Sequence, residues 1–151
     1  MRGGMIAALA LLVAAAPAAA QKPTNHTAAL VAHQKEALAV AKRLENPSYE
    51  ELKAPKLKSE QEALAKHLAA ADTELAEAQK TAKGAAAERL ANVATHQKEA
   101  NAQFELLSKA IASQPNGWQP HQKNGPEVYA HGVVTHLNAA IAAGKSSHPA
   151  K

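Results

Sequence analysis

His26, Leu30, His33, Ala37, Val40 and Leu44 follow one another at intervals of 4, 3, 4, 3 and 4 residues. That interval places them on one face of a helix, because 3.6 residues complete each turn. The same spacing recurs through Leu57, Leu64, Leu68, Ala71, Leu75 and Ala78, and again through Leu90, Val93, Ala100, Phe104, Leu107 and Ile111. A chain patterned in this way must fold as long helices that bury one stripe each.

The breaks between the stripes set the element boundaries. Asn46-Pro47 ends the first helix, since the residue before proline avoids helical angles. The spacing therefore predicts helix 1 over 24–45, capped by Thr24 or Asn25, and a short turn over 48–54 carrying Tyr49. Helix 2 is expected to start between Lys56 and Ser59, with Ser59 and Glu62 as a capping box. Gly84 is expected to separate it from helix 3 over 85–113, because glycine readily takes the left-handed conformation that ends helices. The alternative is one unbroken helix through Gly84. Residues 114–120 read as a loop. Helix 4 begins near Pro126, a favoured first-turn residue, and stops at Gly144, leaving 145–151 as a frayed tail. Trp118 and Tyr49 are expected to cover the ends of the bundle.

Within these helices one five-residue word occurs twice. His-Gln-Lys-Glu-Ala stands at 33–37 and at 96–100, an offset of 63. At an offset of 69, Lys66-His67-Leu68-Ala69-Ala70-Ala71 matches Thr135-His136-Leu137-Asn138-Ala139-Ala140. Two related helical hairpins account for both offsets. The expected fold is all-α, an antiparallel up-down-up-down four-helix bundle spanning 21–144.

Residues 1–20 read as a secretory signal peptide. Arg2 gives a positive start, 5–16 is apolar, and Ala18-Ala19-Ala20 offers a cleavage site. The expected location is periplasmic or secreted, with no membrane insertion after cleavage. The chain has no cysteine, which excludes thiolate metal sites, c-type haem attachment and cysteine catalysis. Without Arg2 the charge is about +3, from 16 basic and 13 acidic residues mixed along the chain. Such a distribution provides solubility and no nucleic-acid footprint. No nucleophile–base–orienter arrangement and no glycine-rich phosphate loop can be found, so no enzymatic activity is expected.

Chemistry is carried by the eight histidines. His33, His67, His96 and His136 lie one to a helix, each on the same rotational side of its stripe. In antiparallel neighbours, His33 would approach His67 and His96 would approach His136. Clustered imidazoles without cysteine favour copper, nickel or zinc. The bland alternative makes each a half-buried boundary residue. His131, His26 and His148 are secondary ligand candidates, and His121 sits in a loop. Glu36 and Glu99 lie three residues after His33 and His96 and could chelate with them, but the preferred reading leaves both solvated opposite lysine.

The segment His136-Leu137-Asn138-Ala139-Ala140-Ile141-Ala142-Ala143-Gly144-Lys145-Ser146-Ser147-His148 resembles the small metal-binding protein family, as do Asn25-His26-Thr27-Ala28 and 33–37. These are exported, His-rich helical bundles that bind divalent metals such as copper and nickel. The resemblance implies a metal buffer or carrier. Many positions that carry histidine in that family are alanine here, Ala143 among them, which points to one or two specific sites. The competing reading is a structural or holdase-type interaction bundle with incidental histidines. Protein partners cannot be read from the sequence.

Overall fold

A computed structural model describes residues 25–145. The signal-peptide residues, His148 and the tail beyond Lys145 lie outside the described residues. The fold is all-α. Four long helices occur, α1 (His26–Glu45), α2 (Ala54–Thr81), α3 (Ala85–Ser113) and α4 (Pro126–Lys145), together with a short 3-10 turn at Tyr49–Leu52. No strand is present among the described residues, and none of these helices is long and apolar enough to cross a membrane. α1 packs on α2 and α4, and α3 packs on α4 and α2, consistent with a helical bundle.

The helix ends follow local chemistry. The Asn25 side chain accepts from the Ala28 amide and starts α1. α2 begins at Ala54, two residues ahead of the earliest expected start, because Pro55 suits the first turn and its missing N–H has no partner to lose there. Ser59 is therefore inside α2 and caps nothing. The local cap sits upstream, where the Ser48 amide donates to the Glu51 carboxylate at 2.7 Å. α2 stops at Thr81, before Gly84. Gly84, at φ +55° and ψ −136°, precedes the first residue of α3, in a region of backbone space that glycine alone occupies readily. α4 extends one residue past Gly144 to Lys145, whose charge suits the helix C-terminus.

The first and third helices each bury a stripe centred on glutamine. In α1 the buried residues are Leu30, Gln34, Ala37, Val40, Ala41 and Leu44; in α3 they include Leu90, Val93, Gln97, Ala100, Leu107 and Ile111. Gln34 and Gln97 are each 1% exposed, and the Gln34 Nε2 donates to Gln97 Oε1 at 3.0 Å. This bond crosses from α1 to α3. It divides the apolar interior into two parts. The larger contains Ala37, Leu44, Leu52, Leu57, Leu64, Leu68, Leu107 and Leu137, with Phe104 and Trp118 packed against it. The smaller contains Leu30, Ala71, Leu75, Ala78, Leu90, Val93 and Ala140.

The loops close the larger half. Trp118 donates from its backbone to Leu52 O at 3.0 Å and from its indole to Ala110 O at 3.1 Å. Tyr49, expected to cover an end of the bundle, is 56% exposed and covers nothing; its ring instead meets the Lys53 ammonium at 5.8 Å.

Candidate metal-binding groups

The two copies of His-Gln-Lys-Glu-Ala alternate between core and surface. Gln34 and Gln97 point inward, so the preceding histidine falls at the edge of the buried stripe and the glutamate two residues further on faces outward. The side chains of His33 and His67 are 34% and 24% exposed, and that of Glu36 is 57% exposed. A partner helix at each edge supplies a second histidine.

Two groups of three result. In the groove between α1 and α2, His67 Nδ1 lies 2.8 Å and His33 Nδ1 3.6 Å from the Glu36 Oε2. In the groove between α3 and α4, His136 Nδ1 lies 2.9 Å and His96 Nδ1 3.2 Å from the Glu99 Oε2. The imidazole centroids are 6.2 Å apart in the first group and 6.5 Å in the second. Within each group one donor atom from each residue lies within 4.8 Å of the others.

These separations are compatible with a shared ion. Nitrogen and oxygen donors bind zinc at ~2.0–2.2 Å, and a tetrahedral site with such bonds holds its donors roughly 3.3–3.5 Å apart. The His–Glu edges of 2.8, 3.6, 2.9 and 3.2 Å bracket that spacing, and the edge between the two imidazoles of each group is no longer than 4.8 Å. Two imidazoles and a carboxylate form a donor set that suits zinc, copper or nickel and leaves a coordination position open. The Nδ1 of His33 is buried and makes no hydrogen bond, with the Glu36 carboxylate 3.6 Å away. The same contacts also suit a metal-free state in which one carboxylate bridges two imidazoles.

The expected residues separate clearly. His33 meets His67 and His96 meets His136, so the four helix histidines form two pairs in two grooves. His26 and His131 join neither group: each holds a single carboxylate, Glu74 at 2.7 Å and Glu45 at 2.5 Å. His131 is 70% exposed. His148 lies outside the described residues. Glu36 and Glu99, read from the sequence as solvated, remain partly exposed yet complete both groups, because the neighbouring helix brings a second imidazole to each. The signal for them was the i,i+3 His-x-x-Glu spacing.

Behind the two groups lies more polar structure. Asp72 accepts from the Asn101 Nδ2 at 2.8 Å, across α2 and α3. Burial pushes its carboxyl above the usual aspartate range, with hydrogen bonds from Asn101 and Gln97 opposing the shift. The two His–Glu–His groups, the Gln34–Gln97 bond and Asp72 together make a polar waist between the two apolar halves. No protein-family description, curated protein or solved structure matches this chain significantly.

Proposed function

We propose that the chain is an exported metal-binding protein that holds divalent transition-metal ions at two sites, His33–Glu36–His67 and His96–Glu99–His136, and acts as a buffer or carrier. The observation that carries this reading is the occurrence, twice, of two imidazoles around one carboxylate at donor spacings of 2.8–3.6 Å. A single such group is a common ion-pair arrangement. Its repetition at matching sequence offsets, with a buried nitrogen that makes no hydrogen bond in one copy, favours a selected ligand set.

The proposal includes the architecture. Contacts between α1 and α2 run from His26–Glu74 through Glu36–His67 to Arg43–Glu60, rising in one helix as they fall in the other. We read this as the first of two antiparallel hairpins in an up-down-up-down bundle. The matching offsets support a duplicated hairpin. The likeness to the small metal-binding proteins, read from short motifs, agrees with this function. For the competing interaction bundle, the large exposed apolar side chains offer little: Tyr49, Leu106 and Val128 belong to three different elements.

Imidazole binds a metal only when deprotonated, so affinity should fall as pH drops below ~6.5. Calorimetry with Cu(II), Ni(II) and Zn(II) should give two ions per chain at neutral pH. His67→Ala and His136→Ala should each remove one, and the double variant both. A double variant that binds as well as the parent chain, or a parent chain no better than an unfolded His-containing peptide, refutes the assignment.

A further inference from the structure

A cavity of about 320 Å³ opens at the end of the smaller apolar half, between the start of α1, the end of α2 and the start of α3. Its walls include Leu30, Val31, Leu90 and Val93, and it reaches in to Gln34. Arg89 is the one fixed charge in its lining, and the His26 ring that also lines it is paired with Glu74 at 2.7 Å. The first turn of α1 lines it through Asn25, His26 and Thr27 and contains no acidic residue. The positive end of that helix dipole is therefore unopposed within the helix. Arg89 lines the cavity as well, and no aspartate or glutamate does.

Arg89 is the second, independent feature. It is half-buried, and its guanidinium has no ion pair or hydrogen bond among the described residues. The proposed hairpin repeat offers a reason. Position 89 is 63 residues after His26, and position 143 is 69 residues after Glu74. His26 and Glu74 form an ion pair at 2.7 Å. At the corresponding place the cation is kept as Arg89, but the acid is Ala143. A guanidinium is always charged and presents a planar fork that matches a carboxylate. Here it is unpaired in the lining of a cavity that also contains Leu30, Val31, Leu90 and Val93.

We infer that this cavity binds a small organic monocarboxylate, with Arg89 at its carboxylate and Leu30, Val31, Leu90 and Val93 around its apolar body. The volume lies at the lower end of the range for small-molecule sites, suited to a short acyl chain and too small for a large cofactor. The inference does not depend on metal binding, since none of the proposed ligands lines the cavity.

Octanoate is the probe, added to the full chain and followed by protein-detected NMR, with octylammonium as the charge-reversed control. Octanoate should bind with a Kd of about 1 mM or tighter. Arg89→Gln should weaken it by roughly tenfold or more, the loss expected for a hydrogen-bonded charge pair. Gly144→Leu should block it by filling the cavity: a Cβ there meets only Val93 Cγ2, at an ordinary 3.6 Å, so the helix tolerates a side chain. Octylammonium should not compete. Absence of octanoate shifts in the cavity residues overturns the inference. So does binding unchanged in either variant once its helical circular dichroism matches the parent, or equal binding of octylammonium.

Discussion

Replacing Gln34 and Gln97 by leucine, singly and together, tests the polar waist directly. Each amide is 1% exposed, and the 3.0 Å bond between them crosses the interior. In Gln34→Leu the Gln97 Oε1 loses its donor and is left buried without that bond. Stranding a buried polar group costs ~1–3 kcal/mol. Leucine returns part of that through apolar burial, leaving a net loss of about 1–2 kcal/mol. With a urea dependence of ~1–3 kcal/mol per molar, the midpoint should fall by roughly 0.5–1.5 M. The double variant removes both amides and joins the two apolar halves. It should be at least as stable as the parent, because replacing both partners of a buried pair by apolar groups is nearly neutral or better. The coupling energy of the cycle should then exceed about 1 kcal/mol. Urea unfolding followed by far-UV circular dichroism measures all four proteins. Additive losses, with the double variant the least stable, would refute the claim that the two glutamines act as one hydrogen-bonded unit.

Three further outcomes follow from side chains described above or packed against the same core. Burial pushes Glu60 upward, but hydrogen bonds and charge from Arg43 at 2.8 Å and Lys56 at 3.2 Å outweigh it and hold the carboxyl below its ordinary range. This contribution is present at neutral pH and is lost as pH falls from ~4.3 through the lowered value. Arg43→Met should therefore destabilise by about 1–2 kcal/mol at pH 7, an effect that shrinks in thermal melts as pH falls below ~4.3. Asp72 has the opposite sign: its raised folded pKa favours the native state as pH falls, so Asp72→Asn should stabilise at pH 7 and lose that advantage below ~3.9. Gly117 sits at φ +97°, and a Cβ would stand 2.5 Å from the Leu52 carbonyl and 2.9 Å from the Ala54 amide. Gly117→Ala should cost roughly 1–3 kcal/mol and shift the fluorescence of neighbouring Trp118.

The helix periods were legible because alanine, leucine and valine keep their spacing over long stretches. The pairing of His33 with His67 was legible because a helix wheel gives the side of the stripe on which each residue falls. The centre of the stripe was not. Leu30, Gln34, Ala37, Ala41 and Leu44 also step by 4, 3, 4 and 3, but an apolar template passes over Gln34 and chooses His33. A buried amide is satisfied only by a partner on another helix, and Gln97 is 63 residues away. The roles of Glu36 and Glu99 were hidden for a related reason. Each is an ordinary surface carboxylate until the axial register of the adjacent helix is known, and spacing within one helix does not supply it. The early start of α2 was legible in Pro55, but the Ser59/Glu62 pair imitated a cap inside a continuous helix.

An interior cut in two by amides has unequal halves. The half beyond Gln34 and Gln97 relies on Leu30, Leu75, Leu90 and Val93 with three alanines, and a cavity enters it. The other half has Leu44, Leu52, Leu57, Leu64, Leu107 and Leu137, closed by a tryptophan. Local opening starts where least apolar surface is at stake. The end of α2 and the beginning of α3 therefore form the weaker cooperative unit, whose backbone amides exchange with solvent first, while the leucine-rich end stays protected until the whole molecule unfolds.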